Sequence, residues 1–257
     1  MANPIRVDET PIVLFLLRRA DDALVLGHRL SEWCGHAPML EEDMALANMA
    51  LDLIGQARSL YAYAGEREGR GHGEDDFAYW RDERGYRNLL LVEQENGDFA
   101  RTIMRQFLYA GFADLYWRAM TASRDETLAA IAAKAEKEMA YHVRHTAEWV
   151  IRLGDGTAES HARIVAALDD LWSYTGEFFQ ADESEAALVA EGIAVDLSTL
   201  RSPWRTNVKA VLDEAMLATP DDGWMQNGGR TGRHSEHLGH LLVELQHVQH
   251  TIPGAVW

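Results

Sequence analysis

Cysteine is almost absent from this chain of 257 residues, in which Cys34 is the only one. A disulfide within the chain is therefore excluded. That absence suits a reducing compartment, and we expect a cytoplasmic protein. Hydrophobic residues make up 47% of the chain, which is enough to build a core without covalent cross-links.

Long apolar runs and an excess of positive charge are also missing. The apolar segment 12–17 is short and is followed by Arg18 and Arg19, whereas a signal peptide carries its basic residues before the apolar run. No run approaches the ~18 apolar residues that cross a bilayer. The net charge of −17 repels nucleic acid phosphates and anionic lipids. We therefore expect neither nucleic acid nor a membrane as a partner.

Strand signals are almost absent, and apolar residues recur at helical spacing along most of the chain. Thr10 before Pro11, Asp98 after Gly97, and Asp125 are typical helix starts. Long helices are predicted from Pro11 to about Gly35, over 41–65, from 99 to about 122 and over 125–154. The pattern predicts an all-α protein: one domain, 1–257, of long antiparallel helices with shorter peripheral ones.

The last third of the chain is predicted to hold helices over 157–180, 206–217 and 234–251, with a glycine-rich loop over 220–233. The final helix has an apolar stripe formed by Leu238, Leu241, Leu245, Val248 and Ile252. Aromatic residues are favoured at protein contacts, so the tail 255–257, which ends in Trp257, suits docking against a partner.

Two of the long helices have the framing of a di-iron carboxylate site but lack most of its ligands. Such bundles take a Glu-x-x-His pair from each of two helices and one further Glu from each of two others. At the paired positions this chain has Leu53 with Gln56 and Met139 with His142. Leucine cannot bind iron, and an amide or a thioether is a poor replacement for a carboxylate. We therefore predict degenerate ligand positions and no catalytic, cofactor or metal site in this chain.

Glu138 lies about one turn before His142 on the same helix. A buried carboxylate without a partner costs several kcal/mol, so an Arg or Lys from a facing helix, or a metal ion, is needed to satisfy it. The helix that carries Leu53 offers no carboxylate at the matching position. We therefore favour a buried ion pair over a metal ligand for Glu138.

The C-terminal helix contains a literal Glu-x-x-His, Glu244 to His247, among five of the chain's eleven histidines. The histidines flank the apolar stripe instead of lying within it, which favours a polar contact surface. A single Glu-x-x-His is a weak signal, because two such helices must face each other. The alternative is an active di-iron oxygenase that uses Glu138 with His142 and Glu244 with His247.

Several segments resemble the C-subunit family of the bacterial 1,2-phenylacetyl-CoA epoxidases, and the resemblance covers nearly the whole chain. The segments are LGHRLSEWCGHAP at 26–38, LEED at 40–43, LDLIGQAR at 51–58, NGDFA at 96–100, RQF at 105–107 and HLGHLL at 237–242, together with Glu138, Tyr141, His142, Arg144 and His145. The resemblance implies a ferritin-like fold and a non-catalytic, structural subunit in aerobic phenylacetate degradation.

The resemblance also implies the partners of this chain. A homologous catalytic subunit, the A component, would hold the di-iron centre in a tight hetero-oligomer, beside a small B component. A reductase component would supply flavin, an iron–sulfur centre and NADPH, so that the complex epoxidises phenylacetyl-CoA.

A third hypothesis is a stand-alone acyl-CoA-binding module in which Arg101 and Arg105 reach the phosphates.

Overall fold

The computed structural model describes residues 4–254, and these residues form ten α-helices and no strand. The all-α prediction is therefore confirmed. The predicted docking tail, 255–257, lies outside the described residues. The helices are α1 Pro11–Ser31, α2 Leu40–Glu68, α3 Glu74–Tyr79, α4 Leu90–Glu93, α5 Phe99–Met120, α6 Glu126–Gly154, α7 Ala158–Trp172, α8 Glu183–Ala190, α9 Arg201–Glu214 and α10 Glu236–Thr251.

Side-chain caps fix the starts of three long helices, as the sequence predicts. The hydroxyl of Thr10 accepts from the backbone N–H of Val13 at the start of α1. The carboxylates of Asp98 and Asp125 accept in the same way at the starts of α5 and α6. Each cap satisfies one of the N–H groups that has no partner inside its helix.

The described residues divide into two compact units, which do not follow the chain order. Unit 1 contains residues 4–34, 45–95 and 228–254, and therefore α1, most of α2, α3, α4 and α10. Unit 2 contains residues 35–44 and 96–227, and therefore the first residues of α2 and all of α5 to α9.

In unit 1, α1 is buried on nearly all sides, which is the pattern of a helix surrounded by its neighbours. It packs on α4, and it approaches α2 closely at Gly27. A Cβ atom added to Gly27 would lie 3.2 Å from the carbonyl oxygen of Ala50 and 3.3 Å from the Cβ of Leu53. The glycine therefore allows the two helix backbones to come together. Helix α10 packs on α3 and α4.

In unit 2, α5 is the central helix and packs against α6, α7 and α9. The five residues 121–125 join α5 to α6, and the three residues 155–157 join α6 to α7. Such short connections make successive helices antiparallel neighbours. The 29 residues of α6 span about 44 Å at 1.5 Å per residue.

Some helix boundaries differ from the predictions. Helix α9 begins at Arg201, not near 206, because Pro203 is tolerated within the first turn of a helix. Helix α7 ends at Trp172, and a 3-10 segment, Thr175–Phe179, follows it.

The predicted apolar stripe of α10 is wrong in its second half. Val248 and Ile252 are 42% and 54% exposed, whereas Gln246 is buried. The Gln246 amide donates to the carbonyl oxygens of Ala78 and Arg81, so its burial leaves the amide nitrogen satisfied.

Between residues 4 and 254, none of the helices combines the length and the apolar character that a bilayer span requires.

Candidate functional site

Leu53 and Gln56 lie in the part of α2 that belongs to unit 1. Leu53 is fully buried beside Gly27 of α1, and Gln56 is 3% exposed. Burying a leucine side chain stabilises the fold by about 1.5–3 kcal/mol. Position 53 therefore supplies packing to unit 1 and no metal-binding atom.

Met139 and His142 lie one turn apart on α6 in unit 2, and both side chains are fully buried. The amide nitrogen of Gln106 on α5 lies 3.1 Å from Nδ1 of His142, and Gln106 is fully buried too. An amide N–H donates, so Nδ1 of the imidazole accepts. The α5–α6 pair therefore has a hydrogen-bonded Gln–His pair at its centre.

Gln106 belongs to a segment that carries the family resemblance, but its role cannot be assigned from the sequence. It lies one turn after the buried residues Thr102 and Ile103 and one turn before Ala110, all on α5. A polar side chain within such a buried face is a signal that it has a polar partner. The partner itself, 36 residues away, is visible only in the folded chain.

The Glu138 side chain is mostly buried, with 15% of it exposed, and its carboxylate lies 3.5 Å from Nζ of Lys134. This cation comes from the preceding turn of α6. Lys134 is 68% exposed, so solvent screens the pair and its contribution to stability is small. Glu138 is therefore mostly but not fully buried, and its role as a buried ion-pair residue stays a prediction.

Glu244 and His247 are both exposed on α10 in unit 1. Of the five C-terminal histidines, His240 and His250 are exposed and His237 is partly exposed, but the His234 side chain is buried. Among residues 4–254, no three His, Cys, Asp or Glu side chains are grouped so that they could hold a metal ion. The described side chains therefore do not provide the group of carboxylates that a di-iron centre needs.

A carboxylate–imidazole pair joins the start of α2 to α6 within unit 2. Nε2 of His145 lies 2.9 Å from a carboxylate oxygen of Glu42, which is 6% exposed. The ring of Tyr141 lies 5.8 Å from the His145 ring. The pair holds the first turn of α2 against α6, three residues beyond His142.

Unit 1 contains buried charges whose partners are not evident from the sequence. Asp21 on α1 accepts from Arg81 at 2.5 and 3.0 Å and from the Tyr61 hydroxyl at 2.5 Å. Burial raises the pKa of Tyr61 well above its usual value, and the charge of Asp21 raises it further. Burial alone would lower the pKa of Arg81, but the charge and hydrogen bond of Asp21, together with Tyr61 and Tyr86, raise the pKa above its usual value. This cluster joins α1 and α2 to the segment after α3.

The neighbouring Asp22 is held by Arg230, whose guanidinium lies 3.0 and 2.7 Å from the two carboxylate oxygens. Asp22 also accepts from the backbone N–H of Leu89 at 2.7 Å. Burial raises the pKa of Asp22, and the charges of Arg230 and Arg19 lower it by less. Asp22 thus fixes the loop before α10 to α1 and to the segment before α4.

Arg101 and Arg105, the candidates for binding CoA phosphates, are already engaged within unit 2. Arg101 is paired with Asp170 of α7, and Arg105 is fully buried and donates to the side-chain oxygen of Asn96 at 2.6 Å. A phosphate could reach Arg105 only after the core opened. The structure therefore does not support these two arginines as a phosphate site.

The described residues define an all-α protein with long paired helices and buried polar side chains between them. The sequence profile of the family described as phenylacetic acid catabolic protein matches residues 2–257, and the chain belongs to this family. Among curated proteins, it is similar to the C-subunit of the 1,2-phenylacetyl-CoA epoxidase of Escherichia coli (strain K12). The two sequences are 51% identical over 247 residues, which cover 96% of this chain and 99% of the relative.

Proposed function

We propose that this chain is a non-catalytic, structural subunit of a phenylacetyl-CoA epoxidase in phenylacetate degradation. The observation that carries the proposal is the chemistry of the four ligand-type positions. Leu53 and Met139 supply no oxygen or nitrogen, Gln56 supplies an amide, and the Nδ1 atom of His142 already accepts from Gln106. The 51% identity to a protein named as the C-subunit of this enzyme supports the same assignment.

The proposal assigns the oxygen chemistry to a partner. The homologous catalytic A component would hold the di-iron centre, with the small B component beside it, and a reductase would provide electrons from NADPH through flavin and an iron–sulfur centre. The role of this chain is to pack against the catalytic component and to hold its helices in place. Stable subunits of this kind bury about 2,000 Å² or more at their interface.

The physical logic is that a helical core without metal must be held by side chains. Here apolar burial at Leu53 and Met139, and the hydrogen bond between Gln106 and His142, connect neighbouring elements within each unit. The hydrogen bond gives the Gln106 amide nitrogen and Nδ1 of His142 a partner each, which offsets the cost of burying these two atoms.

Co-purification with the catalytic component tests the proposal. The chain, tagged and co-expressed with the catalytic component in iron-supplemented medium, is expected to elute with it as one complex, and the iron should scale with the catalytic component. The chain expressed alone is expected to contain no stoichiometric iron. The proposal would be overturned if iron stayed with the isolated chain, was lost in His142→Ala and was retained in the exposed-site control His240→Ala. A chain that remains separate from the catalytic component would also contradict it.

A further inference from the structure

An open groove in unit 2 runs along α9 and has a volume of about 560 Å³. Its lining contains three basic and three hydroxyl side chains and no carboxylate: Ser198, Arg201, Ser202, Arg205, Thr206 and Lys209. In a chain with a net charge of −17, this composition is unusual. The lining therefore favours an anionic ligand.

The spacing of these residues forms two parallel stripes. The basic residues are at i, i+4 and i+8, and the hydroxyl residues repeat the same spacing three residues earlier. Residues four apart on a helix lie one above the other, so cations and hydroxyl side chains line up side by side. The Ser198 hydroxyl donates to Asp196, and the Thr206 hydroxyl donates to the carbonyl oxygen of Ser202. The N-terminal end of α9, which begins at Arg201, adds the positive end of the helix dipole.

The opposite side of α9 is held firmly in the core of unit 2. Trp204, Val208 and Leu212 are buried, and the Trp204 indole donates to the carbonyl oxygen of Leu108 at 3.2 Å. The Trp204 ring also stacks near Trp172, with centroids 5.6 Å apart. The helix backbone that carries the basic stripe is therefore fixed before any ligand arrives, which lowers the ordering cost of binding.

Two guanidinium groups converge on one acidic oxygen beside this groove. Arg201 lies 3.1 Å from Oδ2 of Asp222, and Arg205 donates to the same oxygen. The aspartate comes from the loop after α9 and carries one negative charge, whereas it faces two positive charges. A phosphate group has more charge and more acceptor oxygens, and arginine forks match its geometry.

We propose that the α9 groove binds the phosphate end of a phosphorylated small molecule, and that Asp222 occupies the arginine pair until the ligand displaces it. The site does not rest on the structural-subunit role and shares no residue with the ligand-type positions on α2 and α6. The overall negative charge opposes anion binding, but at physiological salt only charges within about 8 Å act strongly. Lys209 pairs with Asp213 at 2.6 Å, and Arg201 and Arg205 share Asp222, so the three cations of the groove exceed their two carboxylate partners by one charge.

Calorimetry with the full chain and inorganic pyrophosphate tests the site. Saturable binding is expected, weakened about tenfold or more by Arg205→Gln, because a charge-assisted hydrogen bond is lost. Asp222→Asn should strengthen binding about tenfold, since it removes the internal competitor. The matched control is Arg163→Gln on α7, whose side chain is 54% exposed and also pairs with two carboxylates. That control is expected to bind as the unaltered chain does.

Circular dichroism confirms folding of each variant, and Lys209→Gln provides a second groove variant if Arg205→Gln fails to fold. Adenosine diphosphate is expected to bind as tightly as pyrophosphate, or more tightly. Tighter binding of adenosine diphosphate would show that recognition extends beyond the phosphates. Tricarballylate, a tricarboxylate, is expected to bind at least tenfold more weakly. The proposal would be overturned if tricarballylate bound as tightly as pyrophosphate, or if Arg163→Gln weakened binding as much as Arg205→Gln. It would also be overturned if neither the unaltered chain nor Asp222→Asn showed saturable binding.

Discussion

The amide nitrogen of Gln106 lies 3.1 Å from Nδ1 of His142, and neither side chain is reached by solvent. Gln106→Leu leaves a buried nitrogen acceptor without its donor, which is expected to cost about 1–3 kcal/mol in the free energy of unfolding. His142→Leu leaves the buried amide without its acceptor and should cost a similar amount. Urea denaturation followed by circular dichroism measures both effects.

The double variant distinguishes a matched polar pair from two independent core residues. Replacing both partners by apolar groups removes both desolvation penalties, so the double variant should lose clearly less than the sum of the single losses. Additive losses would contradict the pairing of Gln106 with His142. Thr102→Val, a buried position elsewhere on α5, serves as a control that should remain additive with His142→Leu.

Restoring carboxylates beside His142 should create metal affinity that the natural residues do not provide. Gln106→Glu and Met139→Glu together place two carboxylates next to the imidazole in unit 2. Without metal, two buried acids should destabilise the fold by several kcal/mol. Cobalt(II) should then raise the melting temperature of the double variant, with a gain of about 2.7 kcal/mol at a hundredfold excess over Kd.

The visible absorption of bound cobalt(II) provides an independent readout. It should be present in the double variant and lost when His142→Ala is added. A comparable spectrum from the unaltered chain, sensitive to the same histidine, would show that the natural side chains already bind metal at this position.

Local sequence signals predict the long helices well because their causes are local. The caps at Thr10, Asp98 and Asp125 and the apolar spacing of α2, α5 and α6 depend on residues within a few turns of each other. These starts agree with the structure. The all-α class follows from the same signals.

The partners of the buried charges could not be predicted from local sequence signals. Asp21 and Asp22 lie within α1 and look like a polar interruption, but their partners Arg81 and Arg230 are 60 and 208 residues away. A carboxylate inside an apolar helix signals that a partner exists, not which one it is. The exposure of Val248 and Ile252 is another tertiary outcome, because an amphipathic pattern does not show where the neighbouring elements end.

Gly229 is expected to be essential for docking the loop before α10 in unit 1. A Cβ atom at this position would lie 2.1 Å from the carbonyl oxygen of Asn88, closer than any real contact, and 3.2 Å from the backbone nitrogen of Leu90. Gly229→Ala must displace backbone and should cost about 1–3 kcal/mol or more. Gly223→Ala is the matched control, since nothing lies within 4 Å of its added Cβ. Thermal melts that shift equally in both variants would refute the close contact.

His234 should make the stability of the fold depend on pH. Its Nδ1 lies 2.8 Å from a carboxylate oxygen of Glu93 and its Nε2 lies 3.0 Å from the carbonyl oxygen of Tyr86. Both partners are acceptors, so only the doubly protonated imidazolium satisfies both. Burial lowers the pKa of His234, but the hydrogen bond and charge of Glu93, together with the Tyr86 carbonyl and the charge of Asp21, raise the pKa above its usual 6.5.

A raised pKa in the folded state means that the stabilisation by His234 is fully present below pH 6.5 and is lost as the pH rises through the folded-state pKa. His234→Gln removes this titration and should cost about 1.5–3 kcal/mol at pH 5.5, where the charged hydrogen bonds are intact. The gap between the two proteins should narrow toward pH 8.5. His28 has a lowered pKa and acts in the opposite sense in both proteins, so the difference between their urea-unfolding curves isolates His234. A gap that is constant from pH 5.5 to 8.5 would show that His234 is not charged in the fold.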